Sequence, residues 1–209
     1  MEPTKLQLSQ QELNLVVNAN WILTKNAVLK KLRNALHELS ITQKTIIEKL
    51  PIKLPNDILA APPKITKGEN YQGLPYLVLD HPGLFTRNHF FAIRTMFWWG
   101  KVLSTTLHLS GKWQQMYADT LWKHLSVYRH NDLLIASGDS EWVHDPADKA
   151  YSPVSGISKA DLQQAVYKHS FLKLMISAPI TDIEKGTAIW EDQFERIILL
   201  IASDKTRPF

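Results

Sequence analysis

The chain has 209 residues, 44% hydrophobic and 21% charged, the balance of a folded globular protein and not of a disordered one. It contains no cysteine, which excludes disulfides, thiolate zinc sites, iron–sulfur clusters and a cysteine nucleophile. The net charge of +4 is concentrated early: residues 1–69 hold ten Lys/Arg against six Asp/Glu, and residues 70–209 hold fourteen of each. No apolar run approaches the ~20 residues of a membrane-spanning helix. The opening MEPTKLQLSQQELNLVV lacks the basic-then-apolar pattern of a signal peptide, so a cytoplasmic location is expected.

Ser9-Gln10-Gln11-Glu12 has the form of a capping box, and a helix is expected to follow it through Leu13, Val16, Val17 and Trp21. Val28, Leu29, Leu32, Leu36 and Leu39 form a second helical stripe. Lys25 falls inside that pattern, so a break is expected between Asn20 and Lys25, and ITQKTIIEKL prolongs the helical region to Pro51. Residues 51–75 contain five prolines and two glycines and read as a connector. They divide a helical N-terminal segment (1–50) from a main domain (76–209), unless the two form one continuous domain.

YLVLD, at 76–80, reads as a buried strand ended by His81-Pro82-Gly83. Residues 87–99 admit two readings. Thr86 as a cap and Gly100 as a terminator favour a helix. A three-residue loop Trp99-Gly100-Lys101 would instead make a hairpin, with Phe91, Ile93, Thr95 and Phe97 on the same face as Leu103, Thr105, Leu107 and Leu109. KVLSTTLHLSG is a strand on either reading. Trp113, Tyr117, Leu121, Leu125 and Tyr128 mark a helix, and DLLIASGDSEWVHD reads as a hairpin turning at Ser137-Gly138-Asp139. Pro146–Ser155 is read as a loop, Ser158 as a helix start and FLKLMISAPI as a strand. Trp190, Phe194, Ile197, Ile198 and Ile201 mark a last helix. The expected class is α+β: a helical N-terminal part (about 9–50), a Pro-rich connector, then a mixed sheet of about 4–5 strands packed with helices.

The dinucleotide fingerprint, the P-loop, the G-x-S-x-G elbow and H-E-x-x-H are all missing. Weaker constellations remain. Ser104, Thr106, His108 and Ser110 share one strand face, where an imidazole among hydroxyls can exchange protons with a ligand; a solvated strand shows the same alternation. Asp80 and His81 stand at a strand end, where ligands are often held, but these residues also simply end strands. Asp139, Glu141 and Asp145 would share one face of the expected hairpin as a weak metal candidate, with Trp142 and His144 on the other. His124 stacks with Tyr117, Leu121 and Tyr128, as a hydrogen-bonded core histidine would. Arg94 lies in the most apolar stretch and requires a carboxylate, a carbonyl or an anionic ligand.

The leading expectation is a binding protein with an aromatic-lined site for a small molecule or a partner, built from Arg94, Trp98, Trp99, His108 and Trp113. One alternative is an enzyme using His108, Asp80 or His81 in acid–base or metal-assisted chemistry. Another is an interaction module that binds nucleic acid or an acidic partner through the basic N-terminal helices. Lys25, Lys30, Lys31 and Arg33 are distributed around their helix, which argues against a nucleic-acid face. No motif names a cofactor or decides whether the chain is an enzyme.

Overall fold

A computed structural model describes residues 6–128 and 130–202. The capping box forms: Ser9 Oγ accepts from the Glu12 amide and the Glu12 carboxylate accepts from the Ser9 amide, opening α1 (Gln10–Val17). The break falls just before the expected stretch, at Asn18–Ala19, and α2 (Asn20–Glu48) then runs unbroken through ITQKTIIE. The Trp21 indole donates to the Leu15 carbonyl, tying α1 to the start of α2. Every residue from 6 to 24 is exposed; burial of α2 begins at Leu29 and continues through Leu32, Leu36, Leu39 and Gln43.

The connector is not featureless. It holds a short helix, α3 (Asn56–Leu59), and a full edge strand, β1 (Lys64–Tyr71), that pairs with β2 (Leu74–Phe85). His81-Pro82-Gly83 does not end β2 but bulges it. Asp80 pairs with Arg94 and Gly83 with Ala92, so the strand gains one residue there before resuming its register.

Residues 87–99 form the hairpin and not the helix. β3 (Phe90–Trp98) and β4 (Val102–Ser110) pair as Phe91–Leu109, Ile93–Leu107, Thr95–Thr105 and Phe97–Leu103. Both supposed helix signals serve it: Gly100 takes φ +67° in the loop, and the Thr86 hydroxyl donates to the His89 carbonyl in the turn between β2 and β3. The chain continues through α4 (Lys112–Leu125), β5 (Leu133–Ala136), β6 (Tyr151–Pro153), α5 (Lys159–Tyr167), β7 (Phe171–Pro179) and α6 (Gly186–Ala202). No hairpin turns at Ser137-Gly138-Asp139. β5 instead pairs with β6, and residues 137–150 between them form an irregular strap.

Among the described residues the result is α+β: one antiparallel sheet of seven strands, in the order β1-β2-β3-β4-β7-β5-β6, packed with helices. The count exceeds four or five because β1 and β6 are short or polar strands inside segments that read as connector and loop. The odd-numbered residues of β3 and β4 point to the helices. There α2 and α6 bury Leu36, Leu39 and Trp190 against Leu77, Leu79, Phe97 and Leu103. Further along the same face, α4, α5 and α6 enclose Phe91, Ile93, Leu107, Leu109, Leu121, Val166, Phe194 and Ile197. Two glutamines dock helices to buried threonines, Gln43 of α2 donating to Thr95 and Gln193 of α6 accepting from Thr105. Among the described residues no helix is long and apolar enough to cross a membrane.

Candidate functional site

The opposite face of the sheet carries the even-numbered residues of β2, β3 and β4: Tyr76, Val78 and Asp80; Arg94, Met96 and Trp98; Ser104, Thr106, His108 and Ser110. β7 adds Phe171, Lys173 and Met175, with Lys173 directly opposite His108. β4 is a central strand, so its hydroxyl–imidazole face is neither an edge nor a solvated surface; all four residues are buried. The strap reaches this face at His108, through Glu141.

Lys173 holds the strap. Its ammonium, on a residue only 1% exposed, donates to the Glu141 carbonyl at 2.8 Å and to the Val143 carbonyl, and stands 3.3 Å from His144 Nδ1. Tyr151 donates its hydroxyl to the same Val143 carbonyl, and the His144 amide donates to the Tyr71 hydroxyl at 2.7 Å. His108 Nε2 meets the Glu141 carboxylate at 2.8 Å. Trp142 lies between these anchors and is nevertheless 55% exposed.

Beside the strap the face is open. One hollow of about 280 Å³ is lined by Lys64, Thr66, Tyr76, Val78, Asp80, Phe85, Arg94 and Trp142. A second of about 310 Å³, lined by Tyr71, Met96 and His144, shares Tyr76, Val78, Arg94 and Trp142 with it. Gly68 makes the Tyr76 wall possible: a Cβ there would fall 2.1 Å from the tyrosine Cζ, so only glycine lets the ring lie across β1. Arg94 sits at the junction. Its Nε and Nη2 donate to the two Asp80 oxygens at 2.8 and 3.0 Å, a bidentate pair, and its Nη1 stands 3.4 Å from His144 Nε2.

This face favours uncharged imidazoles. Burial, then the Lys173 and Arg94 cations, push His108 down to about 3. The same causes in the same order, with His108 added last, push His144 to about 2. A neutral His108 facing a carboxylate through Nε2 must carry its proton there and donate it to Glu141. Burial also lowers Lys173 to about 7, assisted by Arg94 and opposed by Glu141. Glu141 is raised by its own burial, against the pull of Lys173.

The sequence candidates separate accordingly. Arg94, Asp80 and His108 share the open face. His81, next to Asp80 in the chain, turns to the helix side, where its Nδ1 meets Gln43 Oε1 at 3.1 Å; Asp80 and His81 therefore do not converge. Trp98 is fully buried beneath Tyr71, donating its indole N–H to the Tyr71 carbonyl. Trp99 packs on Phe97 among the α2 and α6 contacts, and Trp113 packs on Phe91 from the first turn of α4; both are on the far face. Asp139 and Glu141 line a separate hollow of about 230 Å³, while Asp145 accepts from the Ala147 amide. Among the described residues no group of three His, Asp or Glu side chains gathers as a metal site, so that carboxylate trio does not form. Of the basic quartet, Lys25 is paired with Glu69 at 2.8 Å.

Tyr71, Tyr76, Trp142, His144 and Lys173 were not among the expected site residues. Lys173 had a signal, being the single charge in the strand FLKLMIS; Tyr71, inside the expected connector, and Tyr76, just after it, had none. Comparison of the chain with protein families, curated proteins and solved structures finds no match in any of the three.

Proposed function

We propose that the chain is a binding protein that takes a small molecule on the open face of its sheet, against Trp142. The observation that supports this reading is the one-sided placement of the helices. It leaves Tyr71, Tyr76 and the exposed Trp142 around the Arg94–Asp80 pair, in two adjoining hollows that share four lining residues. Aromatic walls supply contact area for a flat ligand, and a few convergent polar groups fix its orientation. Lys64 and Arg94 outnumber Asp80 there, and both Asp80 oxygens are already engaged, so the free polar capacity of the hollows is that of a donor.

The test is a broad metabolite library read by thermal shift and tryptophan emission. A true ligand raises the melting temperature, changes the emission and loses at least about tenfold in affinity in Trp142→Ala. A hit indifferent to both Trp142→Ala and Tyr76→Ala, or a library without a hit, refutes the reading. An enzymatic reading has one observation in its favour, the 2.8 Å contact of His108 with Glu141. It requires turnover of a bound compound that His108→Gln abolishes.

A further inference from the structure

His144 has one proton to share between two neighbours. Its Nδ1 faces Lys173 Nζ at 3.3 Å and its Nε2 faces Arg94 Nη1 at 3.4 Å. A neutral imidazole has one N–H and one bare nitrogen, and a guanidinium only donates. Two proton arrangements follow. If Lys173 is a neutral amine, its two hydrogens go to the Glu141 and Val143 carbonyls and its lone pair accepts from His144 Nδ1–H. Nε2 is then bare and accepts from Arg94, and every group is satisfied. If Lys173 is an ammonium, its third hydrogen goes to Nδ1. The ring proton must then sit on Nε2, where it faces the Arg94 N–H, donor against donor. Two donors side by side at the wall of a hollow lack one thing, an acceptor.

We infer that the notch between Arg94 Nη1 and His144 Nε2 is an oxyanion seat, and that filling it is coupled to protonation of Lys173 through the tautomer of His144. The inference rests on the open face being the binding site, and it names the ligand class: a carboxylate or similar oxyanion, one oxygen of which accepts from both donors. The step balances. As the anion arrives, the Nδ1–H bond of His144 breaks and its proton joins Lys173 Nζ. Nε2 takes a proton from solvent and presents it to the ligand, so one proton is taken up for each anion bound. Burial of Lys173 places the balance between amine and ammonium at about 7, where either form is accessible.

The groups that set this balance are few. Glu141 and His144 approach Lys173 from the strap; the Lys173 ammonium also stands over the Tyr151 ring of β6 at 6.0 Å. Arg94 of β3, neutralised by Asp80 of β2, and neutral His108 of β4 complete the set. Glu141 is the carboxylate that acts on Lys173 itself, and it is engaged by His108.

Two measurements on the full chain test this. The first needs no ligand: nitrogen-15 NMR of the His144 ring as a function of pH. The expected result is the Nδ1–H tautomer on the alkaline side and Nε2–H on the acid side; one tautomer throughout overturns the coupling. The second is calorimetry with benzoate, a flat carboxylate, in two buffers of different ionisation heat, with benzamide as the neutral control. Benzoate should bind with uptake of one proton on the alkaline side, its affinity falling about tenfold for each pH unit above the Lys173 midpoint. In Lys173→Met that pH dependence should vanish. Benzoate binding without proton uptake, benzamide binding equally well, or no benzoate binding at millimolar concentration each overturns the proposal. If a neutral library compound still binds against Trp142 while benzoate does not, the oxyanion seat falls and the open-face site stands.

Discussion

Acidification should unfold this chain through three histidines. Burial pushes His81 down to about 4, His108 to about 3 and His144 to about 2, whereas in the unfolded chain each titrates at 6.5. Below pH 6.5 the unfolded state therefore binds protons that the folded state refuses, and stability falls with pH. Each histidine contributes about 1.4 kcal/mol per pH unit until its own folded value is reached. Two units below 6.5 that is about 2–3 kcal/mol each and about 8 kcal/mol for the three. Domains of this kind carry roughly 5–15 kcal/mol in all, so the midpoint of acid unfolding should lie near pH 4–5. Glu141, raised by burial, works weakly in the opposite sense, and the lowered Asp132 reinforces the loss only at lower pH. The assay is urea unfolding at a series of pH values. His81→Gln, whose amide can still donate to Gln43, should remove about a third of the slope. A stability that stays level from pH 6.5 to about 5 would refute the claim that these imidazoles are held neutral.

Other consequences concern Lys173, Asp80 and Gly68. Lys173 titrates lower in the folded chain than in the unfolded one, so stability should keep rising from about pH 7 towards 10, by about 1.4 kcal/mol per unit; the rise should be absent from denaturation curves of Lys173→Met. Asp80→Asn strips the bidentate partner from a guanidinium whose side chain is 20% exposed. A loss of about 2–3 kcal/mol is expected in urea unfolding, less than for a fully enclosed pair. Gly68→Ala forces the Tyr76 ring off β1; because that ring is only half-buried, melting should change little while ligand affinity drops sharply.

What the sequence reveals of this fold tracks how far apart the interacting groups lie. The stripes of α2, α4 and α6 are legible because a helix displays its buried face within a few residues, and the Ser9–Glu12 cap is local. Residues 87–99 are ambiguous because Thr86 and Gly100 suit a helix end and a hairpin turn equally; the cross-strand pairing of Thr95 with Thr105 and Phe97 with Leu103 decides between them. β1 is hidden because KITKGENY is an edge strand with mostly exposed side chains, sandwiched between prolines, and only its ladder with β2 makes it a strand.

The site is harder to read for a more specific reason. Charges in a sequence invite a search for opposite charges, and that search finds Arg94 with Asp80. It misreads the strap. Lys173 is held chiefly by the backbone carbonyls of Glu141 and Val143, groups that every residue possesses and that no sequence pattern marks. Glu141 therefore looks like one of three carboxylates on a hairpin, when its carbonyl is a tether for Lys173 and its side chain is paired with His108. Trp142 is left exposed as a direct consequence: with the backbone on either side of it pinned to the sheet, its ring has no buried position to reach and projects over the hollow. The proposed binding role rests on this exposed tryptophan held by buried neighbours, next to an arginine with one N–H group still directed at an imidazole. The Lys173 that produces this arrangement lies some thirty residues further along the chain.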